Sequence, residues 1–99
     1  MSIMTTLKKT QLPVFYSHAP ERTQPPYLIY LGDGQNTFLA DDTIYHRKNA
    51  YRVEYYFSKK DEAMEAAIED NFLADGYIYS KSEDTYIDGE GVFVIYYNV

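Results

Sequence analysis

Few residues of this 99-residue chain have side chains that could do chemistry, and their spacing matches no common catalytic pattern. The two histidines, His18 and His46, fall in segments predicted as loop or strand edge. A catalytic histidine needs a second group held within hydrogen-bonding distance, and no motif surrounds either residue. A polar surface role is the simpler interpretation. An enzyme built on one of these histidines stays as an alternative, and it would require a pocket that holds the histidine beside a carboxylate.

The acidic residues and short glycine segments do not form a ligand pattern either. An EF-hand needs acids at alternating positions, a central glycine and a final glutamate, and the segment with Asp33, Asp41 and Asp42 lacks that order. The Gly-Xaa-Gly segments at 32–34 and 89–91 do not precede a helix with phosphate-binding spacing. The chain has no cysteine, which excludes disulfides and thiolate sites. We therefore expect no catalytic residue, no cofactor, no metal site and no enzymatic activity.

The chain is acidic, and its charged residues are unevenly distributed along the sequence. The formal net charge of −6 argues against a general affinity for the nucleic-acid backbone. Residues 1–52 have a balance of +2, whereas residues 53–99 have a balance of −8. Such asymmetry can be accidental. It can also steer the positive part of one subunit toward the negative part of its neighbour.

Tyrosine is unusually abundant, with 12 residues beside five phenylalanines and no tryptophan. Tyrosine combines a large apolar ring with a hydroxyl that tolerates water, so it suits protein interfaces as well as strands. The length predicts one domain, residues 1–99. No apolar run approaches the length of a membrane span, so we expect no membrane partner.

The first half of the chain is predicted to form one short helix and several strands. Residues 3–10 form the helix, which Pro13 prevents from extending much beyond Leu12. Short strands follow at 13–19 and at 27–31, on either side of a proline-rich loop. The Gly-Asp-Gly segment indicates a turn. Residues 37–49 are predicted to loop out and to return as a short strand around 43–47.

The second half contains the clearest helix signal. We predict a helix at 59–75, with Ser58 as N-cap and Asp61 in a capping-box position. Its core stripe is Met64, Ile68 and Phe72. The acidic residues lie mainly on the opposite face, and Gly76 ends the helix in a left-handed conformation. The members of the acidic face are Glu62, Glu65, Glu69 and Asp70.

Strands precede and follow this helix. Residues 51–57 form the clearest strand, 77–87 an irregular one, and 92–98 a closing strand that is apolar on both faces and therefore central. The element order predicts an α+β fold: an antiparallel or mixed sheet of four to five strands, with the main helix (about 59–75) and the short N-terminal helix packed on one face.

Beyond these patterns, the whole chain resembles a family of small proteins encoded by prophages and tailed phages of Gram-positive bacteria. The most specific segments are Pro-Pro-Tyr-Leu-Ile-Tyr-Leu at 25–31, a Phe-Xaa-Ala-Asp segment at 38–41, Tyr-His at 45–46, and Glu-Tyr-Tyr-Phe-Ser-Lys-Lys-Asp at 54–61. These proteins are tail terminators or head–tail joining proteins of long non-contractile tails. The polar segment 82–91 departs from the family pattern and leaves the edge strand unassigned.

The resemblance implies a virion structural protein that acts by assembly. Copies would form a ring, commonly a hexamer, that caps the tail tube and docks to the head connector. The expected partners are other copies, the major tail protein and connector proteins, with no specific nucleic acid. The protein would occur in the virion, and in the host cytoplasm during assembly.

The segment 32–49 is the predicted contact region, because long loops in compact domains are often functional. The predicted interface residues are Asp33, Gln35, Asn36, Phe38, Asp41, Asp42, Arg47 and Lys48. A second alternative is a small acidic inhibitor of a host protein, which would bind a basic site through its acidic helix face.

Overall fold

The computed structural model describes the backbone of residues 2–40 and 44–99, and the side chains of residues 2–34 and 49–99. Two helices and six strands form an α+β domain. The helices are α1 (Ile3–Lys8) and α2 (Glu62–Ala74). The strands are β1 (Val14–Tyr16), β2 (Tyr27–Ala40), β3 (Ile44–Phe57), β4 (Ser80–Lys81), β5 (Thr85–Ile87) and β6 (Val92–Asn98).

The six strands form one open, mixed sheet in the order β1-β2-β3-β6-β4, with β5 also paired to β6. Strand β1 runs parallel to β2, and the other pairs are antiparallel. The predicted fold class is therefore confirmed, with six strands rather than four or five. Strand β6 lies inside the sheet, as its apolar sequence predicted.

One hydrophobic core fills the space between the sheet and both helices. Ile3 and Leu7 of α1 and Ile68 and Phe72 of α2 belong to the same buried cluster as the sheet residues. The sheet contributes alternate residues of its central strands, which point to one face. These sheet residues are Leu28, Val53, Tyr55, Phe57, Ile95 and Tyr97. Both helices therefore cover the same face of the sheet.

The carboxyl end of α2 follows the predicted pattern. Gly76 has a φ of +85°, a conformation that costs an L-residue energy but not glycine. The Tyr77 amide donates to the Phe72 carbonyl at 2.8 Å, and the Gly76 amide donates to the Leu73 carbonyl at 3.1 Å. These two bonds form a Schellman motif. The Tyr77 ring folds back on Phe72 with 6.4 Å between ring centroids.

The start of α2 differs from the prediction. Asp61, not Ser58, is the N-cap, and its carboxylate accepts a hydrogen bond from the Met64 amide at 3.1 Å. The sequence offered two cap-forming residues three positions apart. Lys60 therefore lies outside the helix, where its ammonium reaches Glu65 at 2.7 Å and Asp84 at 3.1 Å.

The predicted loop is wrong for the described residues 32–40 and 44–49, which continue β2 and β3 as paired strands. The returning strand predicted around 43–47 is part of β3 from residue 44 onward. Gln35 pairs with Asn49 and Ala40 with Ile44, while the register shifts between Gly32 and Gln35. Gly34, with a φ of +84°, lies inside this shift. The Gly-Asp-Gly segment therefore forms a β-bulge within the strand rather than the predicted turn.

The irregular segment between β4 and β5 is held to β6 by a side chain. Ser82 Oγ accepts a hydrogen bond from the Tyr96 amide, and the Ser82 amide donates to the Tyr96 carbonyl, both at 2.8 Å. These bonds replace a ladder pair where the polar segment breaks the strand. Neither helix in the described part of the chain has the length and apolar character needed to span a bilayer.

Two adjacent residues of α2 test the assignment of its buried face. Phe72→Ala empties a fully buried site, so the free energy of unfolding should fall by about 3–5 kcal/mol. Leu73→Ala is the matched control, because Leu73 is 57% exposed and should change stability by less than about 0.5 kcal/mol. Urea unfolding followed by circular dichroism measures both. Equal losses in the two variants would contradict this placement of the helix.

Candidate interaction surface

No helix of the described residues lies on the face of the sheet opposite α1 and α2, and we call this face the second face. It carries the alternate residues of the central strands that do not point to the core. Their apolar and aromatic members are Phe15, Tyr27, Ile29, Leu31, Tyr56, Val92, Val94 and Tyr96. Ile29, Val92 and Val94 are nevertheless at most 8% exposed. Neighbouring long side chains and the loop after β1 therefore shield them.

A buried carboxylate organises the middle of the second face. Glu54 is 6% exposed and accepts hydrogen bonds from Arg52 Nε at 3.0 Å and Tyr56 Oη at 2.7 Å. Burial of the Tyr56 ring and its hydrogen bond to Glu54 raise the pKa of this phenol. The Arg52 guanidinium also lies 5.7 Å from the centre of the Tyr96 ring. Both oxygens of the carboxylate are thus satisfied, and the side chains around it are held in place.

A cavity of about 450 Å³ opens on the second face beside this group. The loop from Ala19 to Pro25 and the turn between β5 and β6 form its walls. Tyr27, Ile29 and Tyr56 belong to its lining, and the Tyr27 and Tyr56 rings are 4.9 Å apart. Its volume lies in the range of small-ligand and side-chain pockets. The proline-rich loop thus leaves part of the second face open.

The helix side contains a compact group of charges, which we call the ion network. Lys81 of β4 lies 2.9 Å from Glu65 Oε1 and 2.8 Å from Glu69 Oε2. Glu69 also accepts hydrogen bonds from Tyr97 at 2.7 Å and Tyr79 at 3.2 Å. The network therefore ties α2 to β4 and β6.

Glu65 was predicted on the exposed face of α2, and that prediction is wrong. The residue is 3% exposed, because β4 and the segment before α2 bring Lys81 and Lys60 over it. Its Oε2 atom is paired with the Lys60 ammonium at 2.7 Å. Two of the four carboxylates required by the inhibitor alternative are therefore engaged within the protein.

Contacts within the ion network shift the pKa values of Glu69, Lys81 and Tyr97. Burial alone would raise the pKa of Glu69, but hydrogen bonds from Lys81 and Tyr97 outweigh it, and the pKa is lowered. Burial likewise opposes the charge on Lys81, yet the two carboxylates outweigh it and raise its pKa. Burial and the bond to Glu69 raise the pKa of the Tyr97 phenol. At neutral pH Glu69 and Lys81 are therefore charged and the Tyr97 phenol is neutral.

The outer part of the β2–β3 hairpin has no third strand in the described part of the sheet. Strand β1 pairs with residues 28–30 of β2, and β6 pairs with residues 52–57 of β3. Residues 35–40 and 44–49 pair only with each other, and we call them the ribbon. Six residues per strand give it a length of about 20 Å. The longest dimension of the molecule, 51 Å, is more than twice the other two.

The predicted interface residues cluster on this hairpin. Asp33 is exposed, beside Gly34 in the β-bulge. Gln35, Asn36 and Phe38 belong to the outgoing strand of the ribbon, and their backbone partners are Asn49, Lys48 and His46. Arg47 lies opposite Thr37 on the returning strand. Asp41 and Asp42 lie outside the described residues. The sequence reasoning missed the residues that line the cavity, because no local pattern joins the proline-rich loop to the β5–β6 turn.

No grouping of catalytic type occurs among the described side chains. The backbone amide of His18 donates to the Tyr16 carbonyl at 2.8 Å, but no side-chain hydrogen bond places a carboxylate beside His18. No group of three or more His, Asp or Glu in the described part could hold a metal ion. The side chain of His46 lies outside the described set.

Two comparisons with known proteins found no match, so the surface is interpreted from its geometry. No protein-family model matches the chain. No curated protein matches it at a significant level.

The ion network predicts a specific loss of stability in acid. Because the pKa of Glu69 is lower in the folded protein, its contribution is present above its ordinary pKa and is lost as the pH falls through the lowered value. Glu69→Gln should reduce the free energy of unfolding at pH 7 by about 1–3 kcal/mol and flatten its decline between about pH 5 and pH 3. Urea titrations across this range measure both effects.

Asp70→Asn is the control for this prediction, because Asp70 is exposed on the same helix and forms no side-chain hydrogen bond or ion pair with any described side chain. It should keep the stability and the acid profile of the wild type. An unchanged acid profile in Glu69→Gln would show that the network does not stabilise the fold.

Proposed function

We propose that the protein is a structural subunit of a tailed phage particle, acting as a tail terminator or head–tail joining protein. Copies associate head to tail into a ring at the end of the tail tube, and the ring docks to the head connector. The subunit is a soluble monomer that associates only weakly in free solution, and it polymerises when it meets the growing tail end, which stops further tube growth. The proposal rests on the sequence resemblance together with the surface of the domain.

The observation that carries the proposal is the ribbon. A two-stranded hairpin is only marginally stable on its own in water, so a ribbon that leaves the sheet is typical of a segment completed by a partner. Unpaired strand edges are also ready sites for another chain. The ribbon contains most of the predicted contact residues. Its projection fits a subunit that reaches the next copy or the next ring.

The second face supports the same proposal. It presents Tyr27, Tyr56 and Tyr96 in partly exposed positions around a satisfied carboxylate. Partly exposed tyrosine and arginine on a rigid surface are typical of the energetic centre of a protein interface. A ring needs two different patches on each subunit. The ribbon and the second face are two such patches.

Removing the ribbon should abolish assembly and leave the folding of the domain intact. Replacing residues 33–50 with an Asn-Gly turn keeps the pairing of β2 with β3 next to the core. We expect the thermal midpoint to change by less than about 5 °C, since no described core residue is lost. Association into rings, followed by electron microscopy with isolated tail tubes, should be abolished. Rings of normal appearance would contradict the assigned role of the ribbon.

A particle experiment tests the phage role itself. Deleting the gene from the phage or prophage that encodes it should give overlong or headless tails, because nothing would stop the tube or join it to the head. Mass spectrometry of purified wild-type particles should find the protein in a few copies per tail. Normal infectious particles after deletion, or particles that lack the protein, would refute the proposal.

A further inference from the structure

The cavity on the second face has an acidic rim around an apolar floor. Ile29 and Val92 in its lining are 5% and 8% exposed, whereas Glu21 and Glu90 are exposed. Neither carboxylate forms a salt bridge within the described part of the chain. Arg22 is the one cation among the lining residues, so the carboxylates outnumber it.

The electrostatics inside the cavity also favour a cation. Burial, followed by the charges of Glu90 and Glu54, raises the pKa of the Tyr27 phenol. The Tyr27 and Tyr56 rings both belong to the lining, and they lie 4.9 Å apart at an interplanar angle of 32°. An aromatic face beside carboxylates binds the charged end of lysine or arginine, while apolar walls accept the methylene stem.

The ribbon carries a complementary basic segment. Arg47 and Lys48 are consecutive on its returning strand, and their backbone partners, Thr37 and Asn36, are uncharged. This part of the ribbon therefore has a local charge of +2 within a chain of net charge −6.

We propose that the cavity bounded by the 19–25 loop and the β5–β6 turn receives the basic segment Arg47–Lys48 of a second copy. The contact is heterologous, since ribbon and cavity are different patches, and repeated copies form a closed ring or an open chain. This inference rests on the proposed function and deepens it, because it names the two surfaces that meet between copies.

Charge reversal at either surface should disrupt the contact. Arg47→Glu with Lys48→Glu removes the basic segment, and Glu21→Lys with Glu90→Lys reverses the rim. Sedimentation velocity at low salt should show self-association of the wild type, weakened by about tenfold or more in each double variant. Added salt should weaken wild-type association as well. A wild type that remains monomeric at the highest soluble concentration overturns the proposal.

Matched controls distinguish the loss of the specific contact from a general effect of the changed net charge on association. Lys8→Glu with Lys59→Glu makes the same charge change as the ribbon variant at two exposed sites. Asp70→Lys with Glu83→Lys does the same for the rim variant. Both controls should associate like the wild type, and all variants should retain the wild-type circular dichroism spectrum and thermal midpoint. Control variants as impaired as the test variants overturn the proposal.

Mixing the variants tests the direction of the contact. A ribbon variant still has a normal cavity, and a rim variant still has a normal ribbon. An equimolar mixture should therefore assemble with the two variants in alternation. The normal ribbon meets the normal cavity at one interface, and the reversed ribbon meets the reversed cavity at the next. A chain with all four reversals should recover self-association, because the charges are again complementary. A mixture that does not associate, or a fourfold variant without recovery, contradicts the pairing.

The outcomes distinguish this inference from the proposed function. Association through these surfaces by a protein that is absent from virions would refute only the phage role. Variants that assemble like the wild type, in a protein present in virions, would refute only the pairing of ribbon and cavity.

Discussion

Both helices cover the same face of the sheet. Because of this one-sided packing, the second face has to be shielded from water by side chains and a loop. The helix side holds the buried cluster of Ile68, Phe72, Tyr55 and Tyr97. The second face must exclude water from Ile29, Val92 and Val94 without a helix. It does so with aromatic side chains, a satisfied carboxylate at Glu54 and the proline-rich loop. A face protected only by side chains and a loop is also the face on which another chain can pack.

Charges fix the helix layer on the sheet. Lys81 joins the carboxylates of Glu65 and Glu69 from the edge of the sheet, while Tyr97 reaches Glu69 from its centre. A second connection holds the two helices together, where Asp75 at the end of α2 accepts from Thr6 at 2.5 Å and from Lys9 at 2.8 Å. Burying these groups carries a desolvation cost, which paired hydrogen bonds offset. Together they connect α2 to β4, β6 and the end of α1.

Much of the fold follows from local sequence patterns, but the site does not. The stripe through Ile68 and Phe72, the glycine after α2 and the apolar run of β6 each predict their own structure. The burial of Glu65 depends on lysines 5 residues before it and 16 residues after it. No helical periodicity contains that information. The Gly-Asp-Gly segment is ambiguous in sequence, because glycine permits a bulge as readily as a turn. The cavity joins segments that only the strand order brings together.

The central claim is that copies of this chain work by packing on one another through the ribbon and the second face. Electron cryomicroscopy of the assembled ring tests it most directly. The account predicts that the ribbon of each copy crosses to its neighbour and lies over the proline-rich loop and the tyrosines of the second face. A ring whose subunits meet through their helices, with the ribbon and the second face both exposed to solvent, would contradict it.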